Sequence, residues 1–335
     1  MITFKSFLIF FKKIYLKLGI FIFILFLSFL IYVFWNLKPV DIKGAGVEKM
    51  FKINNGESFL EITNNLYKEK LIRSKISFAF LGFLTGQFLK IHSGLYKLNS
   101  NLNSINILFL LSSGKGKEVR VLIPEGETFY EIDAILAENN VLKKGELIDY
   151  IKKNNLKLEG YLMPDTYIFF YDSKPEDVIK KMTDNFNLKI KPLIEEKKAN
   201  ETSTLILASM LEKEAPDFED RKIIAGILLK RLKLNIPLQV DATICYIKII
   251  QNNGPINCLP LLPLDFKINS EYNTYVNKGL PPGPISNPSK EAVLAALNPI
   301  ESEYLYYLSD PITKKTIFSK TLEEHNKNIL KFLKK

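Results

Sequence analysis

One glutamate at the end of an apolar helix is the strongest candidate for catalysis. In the segment TLILASMLEKEAP, apolar residues recur with helical spacing, and the series at i, i+3, i+4 and i+7 is Leu207, Met210, Leu211 and Glu214. Glu214 therefore continues the apolar face of this helix. Pro216 ends the helix just after Glu214, so the carboxyl group lies near free helix carbonyls that disfavour a negative charge.

Partial burial and the helix terminus both act to raise the pKa of Glu214. A carboxyl group that keeps its proton near neutral pH can act as a general acid on a glycosidic oxygen. The alternative is a structural glutamate at the helix end, paired with Arg221 or Arg231.

The composition is that of a globular chain with few metal-binding residues. The chain has 335 residues, 47% of them hydrophobic and 24% charged, which is enough for about two domains. Two cysteines and two histidines are too few for a disulfide-dense scaffold or a zinc site with several cysteines. We expect neither a metal nor a cofactor. Cys245 and Cys258 either form a disulfide in an oxidising compartment or remain two buried thiols.

An uncharged N-terminal segment predicts a single transmembrane anchor. Residues 18–37 contain no charged side chain and supply the ~20 residues that a helix needs to cross a bilayer. The net charge is +10, and residues 1–40 contribute +5 of it through five lysines and no acidic residue, namely Lys5, Lys12, Lys13, Lys17 and Lys38. This distribution argues against a nucleic-acid partner. Four of the lysines precede the span, so we expect residues 1–17 in the cytoplasm and the remainder on the periplasmic or extracytoplasmic side of the cytoplasmic (inner) membrane.

Two segments at an offset of 70 residues repeat one strand–turn–helix unit. FKINNGESFLEITNNLYKEKLI (51–72) aligns with VLIPEGETFYEIDAILAENNVL (121–142). Ser58 and Thr128 each precede an amphipathic helix and have a glutamate three residues further on, which is the spacing of a capping box. The unit resembles LysM-like modules. We expect residues 41–157 to form a LysM-like region with two related halves, which either binds glycan or only spaces the next domain from the membrane.

The rest of the chain predicts a helix-rich domain, residues 158–335. Helical spacing is strong over 205–214 and 223–234, and short strands are expected at 304–308 and 316–319. The predicted fold class is α+β, with a single N-terminal transmembrane helix, a LysM-like α/β subdomain and a helix-rich catalytic domain with small strands.

Five blocks of this domain are long and unusual: LEGYLMPDTYIF (158–169), LASMLEKEAPDFEDRKIIAGILLKRLKLNIPLQVDATICY (207–246), YNTYVNKGLPPGPISNPSKEAVLAALNP (272–299), YLYYLSD (304–310) and FSKTLEEHN (318–326). In this order they resemble the YceG-like family of endolytic murein transglycosylases. Together with the anchor and the repeat, the resemblance covers nearly the whole chain. It implies a lytic transglycosylase that cleaves MurNAc-β-1,4-GlcNAc bonds within nascent peptidoglycan strands. The products carry 1,6-anhydroMurNAc ends, and the cut terminates glycan elongation.

The resemblance also implies roles for particular residues. It assigns catalysis to the second glutamate of the EKE motif, Glu214, which protonates the leaving oxygen and then accepts the proton of the attacking muramyl 6-hydroxyl. No second carboxylate is required, unlike in most glycosidases. Substrate contacts are expected from the segments LQVDATICY and YNTY, through Gln239, Asp241, Thr243, Tyr272, Asn273, Thr274 and Tyr275. For Asp241, a structural bond to Arg231 or to backbone amides is an equal alternative.

The sequence leaves two other functions open. A muramidase-type hydrolase would use water, with Asp241 as a second carboxylate, and would leave reducing ends. A membrane-anchored glycan-binding scaffold would depend on the repeat, with Glu214 incidental. In each case peptidoglycan strands are the expected partner, and the family resemblance adds penicillin-binding proteins and other proteins of wall synthesis.

Overall fold

The computed structural model describes most of the chain as two compact units. The described residues are 4–42, 44, 46–54, 56–114, 116–310, 313 and 315–332. Residues 1–3 of the predicted cytoplasmic segment and residues 333–335 of the predicted catalytic domain lie outside this set. The first unit comprises Met1–Glu118 with Phe170–Asp172, and the second comprises Val119–Phe169 with Ser173–Lys335.

The first unit consists of one long apolar helix and one copy of the repeat with its partners. Its elements are α1 (Phe4–Asn36), β1 (Glu48–Ile53), α2 (Phe59–Lys68), α3 (Lys75–Thr85), a 3₁₀ turn (Gln87–Lys90), β2 (Gly94–Asn99) and α4 (Ser104–Ser112). Strands β1 and β2 are antiparallel, with Phe51 opposite Tyr96. Both side chains belong to a core that includes Phe78 of α3 and Ile107 of α4. Alternation along the strands thus turns one face of the sheet towards the helices.

In α1, the stretch Tyr15–Asn36 is long and apolar enough to cross a membrane. It has 22 residues and a mean hydropathy of 2.7, and only 6% of its most apolar stretch is buried within the protein. By its length and composition, this stretch could be a membrane anchor or a signal sequence.

From the unit boundary onward, helices predominate. The elements are β3 (Glu118–Ile123), α5 (Phe129–Glu138), α6 (Glu146–Lys153), β4 (Asp165–Phe170), α7 (Pro175–Lys189), α8 (Lys191–Glu196), α9 (Glu201–Glu214), α10 (Phe218–Lys233), α11 (Asp241–Asn252), a 3₁₀ turn (Asp265–Lys267), α12 (Lys290–Leu297), β5 (Tyr306–Ser309), β6 (Thr316–Ser319) and α13 (Leu322–Phe332). Helix α9 packs against α10, α11 and α12. In the described part of the chain the strands form three two-stranded sheets, β1–β2, β3–β4 and β5–β6. The α+β prediction is confirmed.

Both copies of the repeat form the predicted strand, turn and capped helix. At α2, the backbone N–H of Glu61 donates to Ser58 Oγ at 3.3 Å, and the N–H of Ser58 donates back to the Glu61 carboxylate at 2.9 Å. At α5, Thr128 and Glu131 make the same pair of bonds at 3.2 and 2.8 Å. Each capping box satisfies free N–H groups at the start of its helix, which explains why the two segments fold alike.

The unit boundary lies before the second copy of the repeat, whereas the sequence placed the domain boundary after it, at residue 157. The reason is a shared core: Ile132 and Leu136 of α5 are buried with Leu162, Val178 and Ile249 from the region beyond residue 157. Strand β3 of the second copy also pairs with β4. The second copy is therefore part of the unit that contains α9.

Candidate active site

Helix α9 is the buried centre of the second unit and ends at Glu214. Asn200 caps its start by accepting a hydrogen bond from the N–H of Ser203 at 2.9 Å. Every residue from 204 to 211 is buried, so the helix axis is fixed by packing on all sides. Ala215 adopts an extended conformation (φ −146°), and Pro216 follows. The helix thus ends where Pro216 predicts, and Glu214 is its last residue.

The first glutamate of the EKE motif anchors this helix end. Glu212 Oε1 accepts a hydrogen bond from Arg221 Nη2 at 2.7 Å, and both side chains are only 6% exposed. The second carboxylate oxygen of Glu212 accepts from the N–H of Ser289 at 2.8 Å, and Arg221 Nε donates to the carbonyl of Ala215 at 2.6 Å. Arg221 is therefore the partner of Glu212, and the proposed alternative in which it pairs with Glu214 is not observed.

Glu214 has the electrostatic environment that a general acid requires. Its side chain is partly buried. Burial raises the pKa of its carboxyl group from 4.5 to about 7, and the charge of Asp241 acts in the same direction. A hydrogen bond from Tyr307 and the positive charge of Arg231 partly offset this rise. The pKa shift has the direction that the sequence predicted.

Tyr307, on strand β5, is the hydrogen-bond partner of Glu214. Burial and the neighbouring carboxylate raise the pKa of the Tyr307 hydroxyl well above 10, so this hydroxyl keeps its proton and donates it to the hydrogen bond. Two residues further along the strand, Ser309 Oγ donates to the backbone carbonyl of Glu214 at 3.5 Å. Strand β5 thus positions both the side chain and the backbone of the candidate acid.

Arg231 is a buried cation that holds the site together through backbone carbonyls. Its Nε donates to Leu305 at 2.8 Å and its Nη1 to Leu238 at 2.9 Å. The guanidinium lies over the ring of Tyr306, 5.1 Å from the ring centroid. These contacts tie α10 to the segments before α11 and β5, while the charge stays close enough to Glu214 to lower its pKa.

Glu214 faces a cavity whose lining suits a sugar polymer. The cavity has a volume of about 1090 Å³, and its walls come from α9, α11, the loop around residue 275, β5 and α13. Among the groups that line it are Glu214, Gln239, Asp241, Tyr275, Tyr307 and His325. Amide, carboxylate and hydroxyl groups can bond sugar hydroxyl and N-acetyl groups, and tyrosine rings can cover pyranose faces.

Three of the seven predicted substrate-contact residues line this cavity: Gln239, Asp241 and Tyr275. The Tyr275 hydroxyl donates a hydrogen bond to Asp241 Oδ1. Asp241 begins α11 and is exposed, and the hydrogen bonds of Arg231 go to backbone carbonyls, so the alternative Asp241–Arg231 bond is not observed. Gln239 is exposed with a positive φ of 52°, a left-handed conformation held by the hydrogen bond from its N–H to the Thr274 carbonyl at 3.0 Å.

The other four predicted contact residues are used within the protein. Thr243, Asn273 and Thr274 are 0%, 0% and 2% exposed. Thr274 Oγ1 accepts from the N–H of Val240 at 2.9 Å and bonds Thr243 Oγ1 at 3.0 Å, and Asn273 Nδ2 donates to the carbonyl of Ile268 at 2.8 Å. Tyr272 packs its ring 5.0 Å from that of Tyr246. These residues shape the wall of the cavity instead of lining it.

Several site features were not identified from sequence. Tyr307 lies in the block YLYYLSD, and the only sequence feature that could have singled it out is the pair of adjacent tyrosines on a short predicted strand. Thr128 and Glu131 of the second repeat also line the cavity. Cys245 and Cys258, left open above, form a disulfide with a Cα–Cα distance of 5.4 Å and line the same cavity. Within the described residues, no group of three or more His, Cys, Asp or Glu side chains is arranged to hold a metal ion.

Comparison with known proteins gives one consistent family. The sequence model of the YceG-like family matches residues 51–331. An endolytic murein transglycosylase of Bacillus subtilis (strain 168) is 33% identical over 325 residues, which cover 89% of this chain and 88% of that protein. A protein of the same name from Streptococcus pneumoniae serotype 2 (strain D39) is 28% identical over 340 residues, 89% of this chain and 60% of that protein.

A solved structure agrees with these sequence matches. The crystal structure of a yceG-like protein from Listeria monocytogenes superposes with a TM-score of 0.55 at 31% identity, covering 85% of this chain and all of that one. Since the family model spans most of the sequence and a similar fold accompanies it, the chain belongs to the YceG-like family.

Proposed function

We propose that the protein is an endolytic murein transglycosylase and that Glu214 is its single acid/base. The observation that carries the assignment is the position of Glu214: it is partly buried at the end of α9, faces a large cavity with both polar and apolar walls, and has a pKa of about 7. The names of the Bacillus and Streptococcus relatives support the same reaction. The substrate is then the glycan strand of peptidoglycan.

The reaction needs one proton that leaves Glu214 and returns to it. Glu214 donates its proton to the bridging oxygen between MurNAc and GlcNAc as the bond from that oxygen to muramyl C1 breaks. The muramyl 6-hydroxyl then attacks C1, and its proton passes to the Glu214 carboxylate. This closes the 1,6-anhydro ring and restores the acid. No water is consumed, so the masses of the two products add up to that of the substrate.

Tyr307 and Arg231 stabilise the Glu214 carboxylate anion that exists between these two proton transfers. A hydroxyl that donates to a carboxylate stabilises the anion more than the neutral acid, and a nearby cation acts in the same direction. Gln239, Asp241 and Tyr275 are proposed to contact sugar directly, because they line the cavity. Thr243, Asn273, Thr274 and Tyr272 are proposed to position these residues from within the loop.

The product ends test this assignment. Full-length protein in detergent is incubated with polymeric peptidoglycan, and the products are analysed by mass spectrometry. We expect internal cuts with anhydro ends from the wild type and none from Glu214→Gln, while Glu219→Gln, which changes an exposed glutamate of α10, cuts normally. Ends that carry an added water would replace this proposal with the hydrolase, and strands that are bound but remain intact would replace it with the glycan-binding scaffold.

We further propose that α1 is a single-pass anchor, with residues 1–17 in the cytoplasm and the chain beyond residue 37 on the outer side. The lysines before the span support this orientation, and so does the Cys245–Cys258 disulfide, because disulfides persist in oxidising compartments. Protease added to the outside of spheroplasts should digest the region beyond residue 41 and spare an N-terminal tag. Digestion of the tag alone would show the opposite topology, with the N-terminus on the outer side.

Penicillin-binding proteins are the proposed protein partners, since an anchored enzyme that cuts nascent strands must act beside the synthases that make them. Co-purification of the full-length protein from membranes under native conditions checks this. If no wall synthase co-purifies, the proposed partnership is wrong.

A further inference from the structure

Helix α3 of the first unit exposes a continuous apolar face. Ile76, Phe80, Phe83 and Leu84 recur at i, i+4, i+7 and i+8 and so share one side of the helix. Ile76, Phe83 and Leu84 are 59%, 51% and 71% exposed. Leu89, on the 3₁₀ turn that follows, is 78% exposed. An apolar surface of this kind marks a site of contact with a partner or a membrane.

This face lies directly beside the apolar helix α1. The ring of Phe80 meets that of Phe29 edge-on, with 5.4 Å between the centroids. The Tyr32 hydroxyl bonds Ser74 Oγ, at the N-cap of α3, at 3.2 Å. The exposed apolar side of α3 is therefore continuous with the surface of the proposed membrane span.

The position of Phe29 along α1 determines how deep in the membrane the Phe29–Phe80 contact lies. Lys17 limits the span on the cytoplasmic side, because a charged side chain is costly inside the hydrocarbon core. Twenty residues of helix, at 1.5 Å each, cover a core about 30 Å thick and reach Leu37. Phe29 precedes Leu37 by eight residues, so it lies about 12 Å below the outer boundary of that core. Phe80, which contacts Phe29, then lies at a depth where the surrounding medium is acyl chains.

The charge of the surrounding sequence matches an anionic membrane surface. No Asp or Glu occurs between Glu69 and Glu118, while seven basic residues do, namely Lys70, Arg73, Lys75, Lys90, Lys97, Lys115 and Lys117. Arg73 and Lys75 precede the apolar face of α3 and Lys90 follows it. Apolar residues flanked by basic ones are the pattern of helices that lie in the interface of anionic bilayers.

We propose that α3 and the turn after it are immersed in the outer leaflet of the membrane and bind anionic phospholipid there. The inference rests on the membrane-spanning role proposed for α1. The first unit would then contact the membrane through α3 as well as through α1.

Quenching by brominated lipids tests this directly, because Trp35 is the chain's only tryptophan. The full-length protein is reconstituted in anionic phospholipid vesicles with bromine on the acyl chains. In a Trp35→Phe background, Leu84→Trp places the probe on the apolar face, and Phe83→Trp is a more conservative second probe. Met50→Trp is the control: Met50 is 48% exposed on β1, on the face of the sheet opposite the buried Phe51.

We expect Leu84→Trp and Phe83→Trp to lose most of their emission in brominated vesicles and Met50→Trp to lose little. If both α3 probes stay bright while Trp35 of the wild type is quenched, the anchor stands and the immersion of α3 is wrong. If Trp35 also stays bright, the anchor fails and this proposal fails with it. The contact with α1 holds α3 at the same depth in any bilayer, so the preference for anionic lipid is tested in mixed vesicles with bromine on one lipid at a time. Equal quenching of the α3 probes by brominated anionic and brominated zwitterionic lipid would overturn that preference.

Discussion

Replacing Tyr307 by phenylalanine removes one hydroxyl from the candidate acid and leaves the ring that packs beside it. This hydroxyl hydrogen-bonds the Glu214 side chain and lowers its pKa, against the larger effect of burial. A hydrogen bond to a charged group contributes about 1.5–3 kcal/mol, and one pKa unit corresponds to about 1.36 kcal/mol. We therefore expect the pKa of Glu214 to rise by about one unit, from about 7 towards 8.

The sign of this change is visible in the pH profile. The reaction begins with protonated Glu214, so kcat/KM falls as the pH rises through the pKa of the free enzyme. Tyr307→Phe should move this alkaline limb upward by about one pH unit. It should also lower kcat at the optimum about tenfold, because the Glu214 anion loses a charge-assisted hydrogen bond worth about 1.4 kcal/mol or more.

The assay is release of anhydro-ended fragments from polymeric peptidoglycan at a series of pH values. Tyr304→Phe is the matched control, since the ring of Tyr304 stacks on Phe318 at 5.3 Å and does not line the cavity. It should leave the profile in place. An alkaline limb that stays fixed or moves downward in Tyr307→Phe would refute the role given to the hydroxyl.

Three further outcomes concern stability. Burial raises the pKa of Glu159 from 4.5 to about 8. Between these two pH values the folded protein keeps a proton that the unfolded chain releases, so the free energy of unfolding falls as the pH rises from about 4.5 to about 8. Glu159→Gln should lose roughly 4 kcal/mol of that pH dependence between pH 5 and 9 in urea titrations. Arg221→Ala should cost about 3–5 kcal/mol in the same assay by leaving a buried carboxylate unpaired, whereas Lys180→Ala, in an exposed pair, should cost under about 1 kcal/mol. Replacing Cys245 and Cys258 by serine opens a loop of 13 residues and should cost about 3 kcal/mol by the chain-entropy estimate.

Local signals in the sequence located the helix that carries the candidate acid and both short strands near residue 310, although the strand expected at 304–308 is β5, Tyr306–Ser309. Pro216 and the apolar spacing before it located the end of α9, and the structure gives Glu214 the raised pKa that this position implies. The strand expected at 316–319 is β6, with the same bounds. These features depend on residues within one turn of helix or one strand, so the neighbouring sequence determines them.

The walls of the site could not be predicted in the same way, because they depend on contacts between distant segments. Asn273 and Thr274 have the chemistry of sugar ligands and also that of loop residues, and only their burial shows that their polar atoms bond the protein. Tyr307 reaches Glu214 across 93 residues of sequence (307 − 214). A pattern of neighbouring residues cannot predict a hydrogen bond between two side chains so far apart in the sequence.

The two copies of the repeat show where local sequence stops determining structure. Gly56 and Gly126 turn the chain with nearly the same φ, +81° and +80°. A Cβ at Gly56 would meet nothing within 4 Å, and a shallow polar cavity of about 520 Å³ lies beside it. A Cβ at Gly126 would lie 3.2 Å from Glu212 Cγ, and the N–H of Gly126 donates to the carbonyl of Asn287 at 2.9 Å. The repeated residues build the same turn twice, but the residues that fill the space beside the second turn belong to the EKE segment and to the loop before α12. The contacts of the second turn, and not the repeated residues, make the second copy part of the second unit.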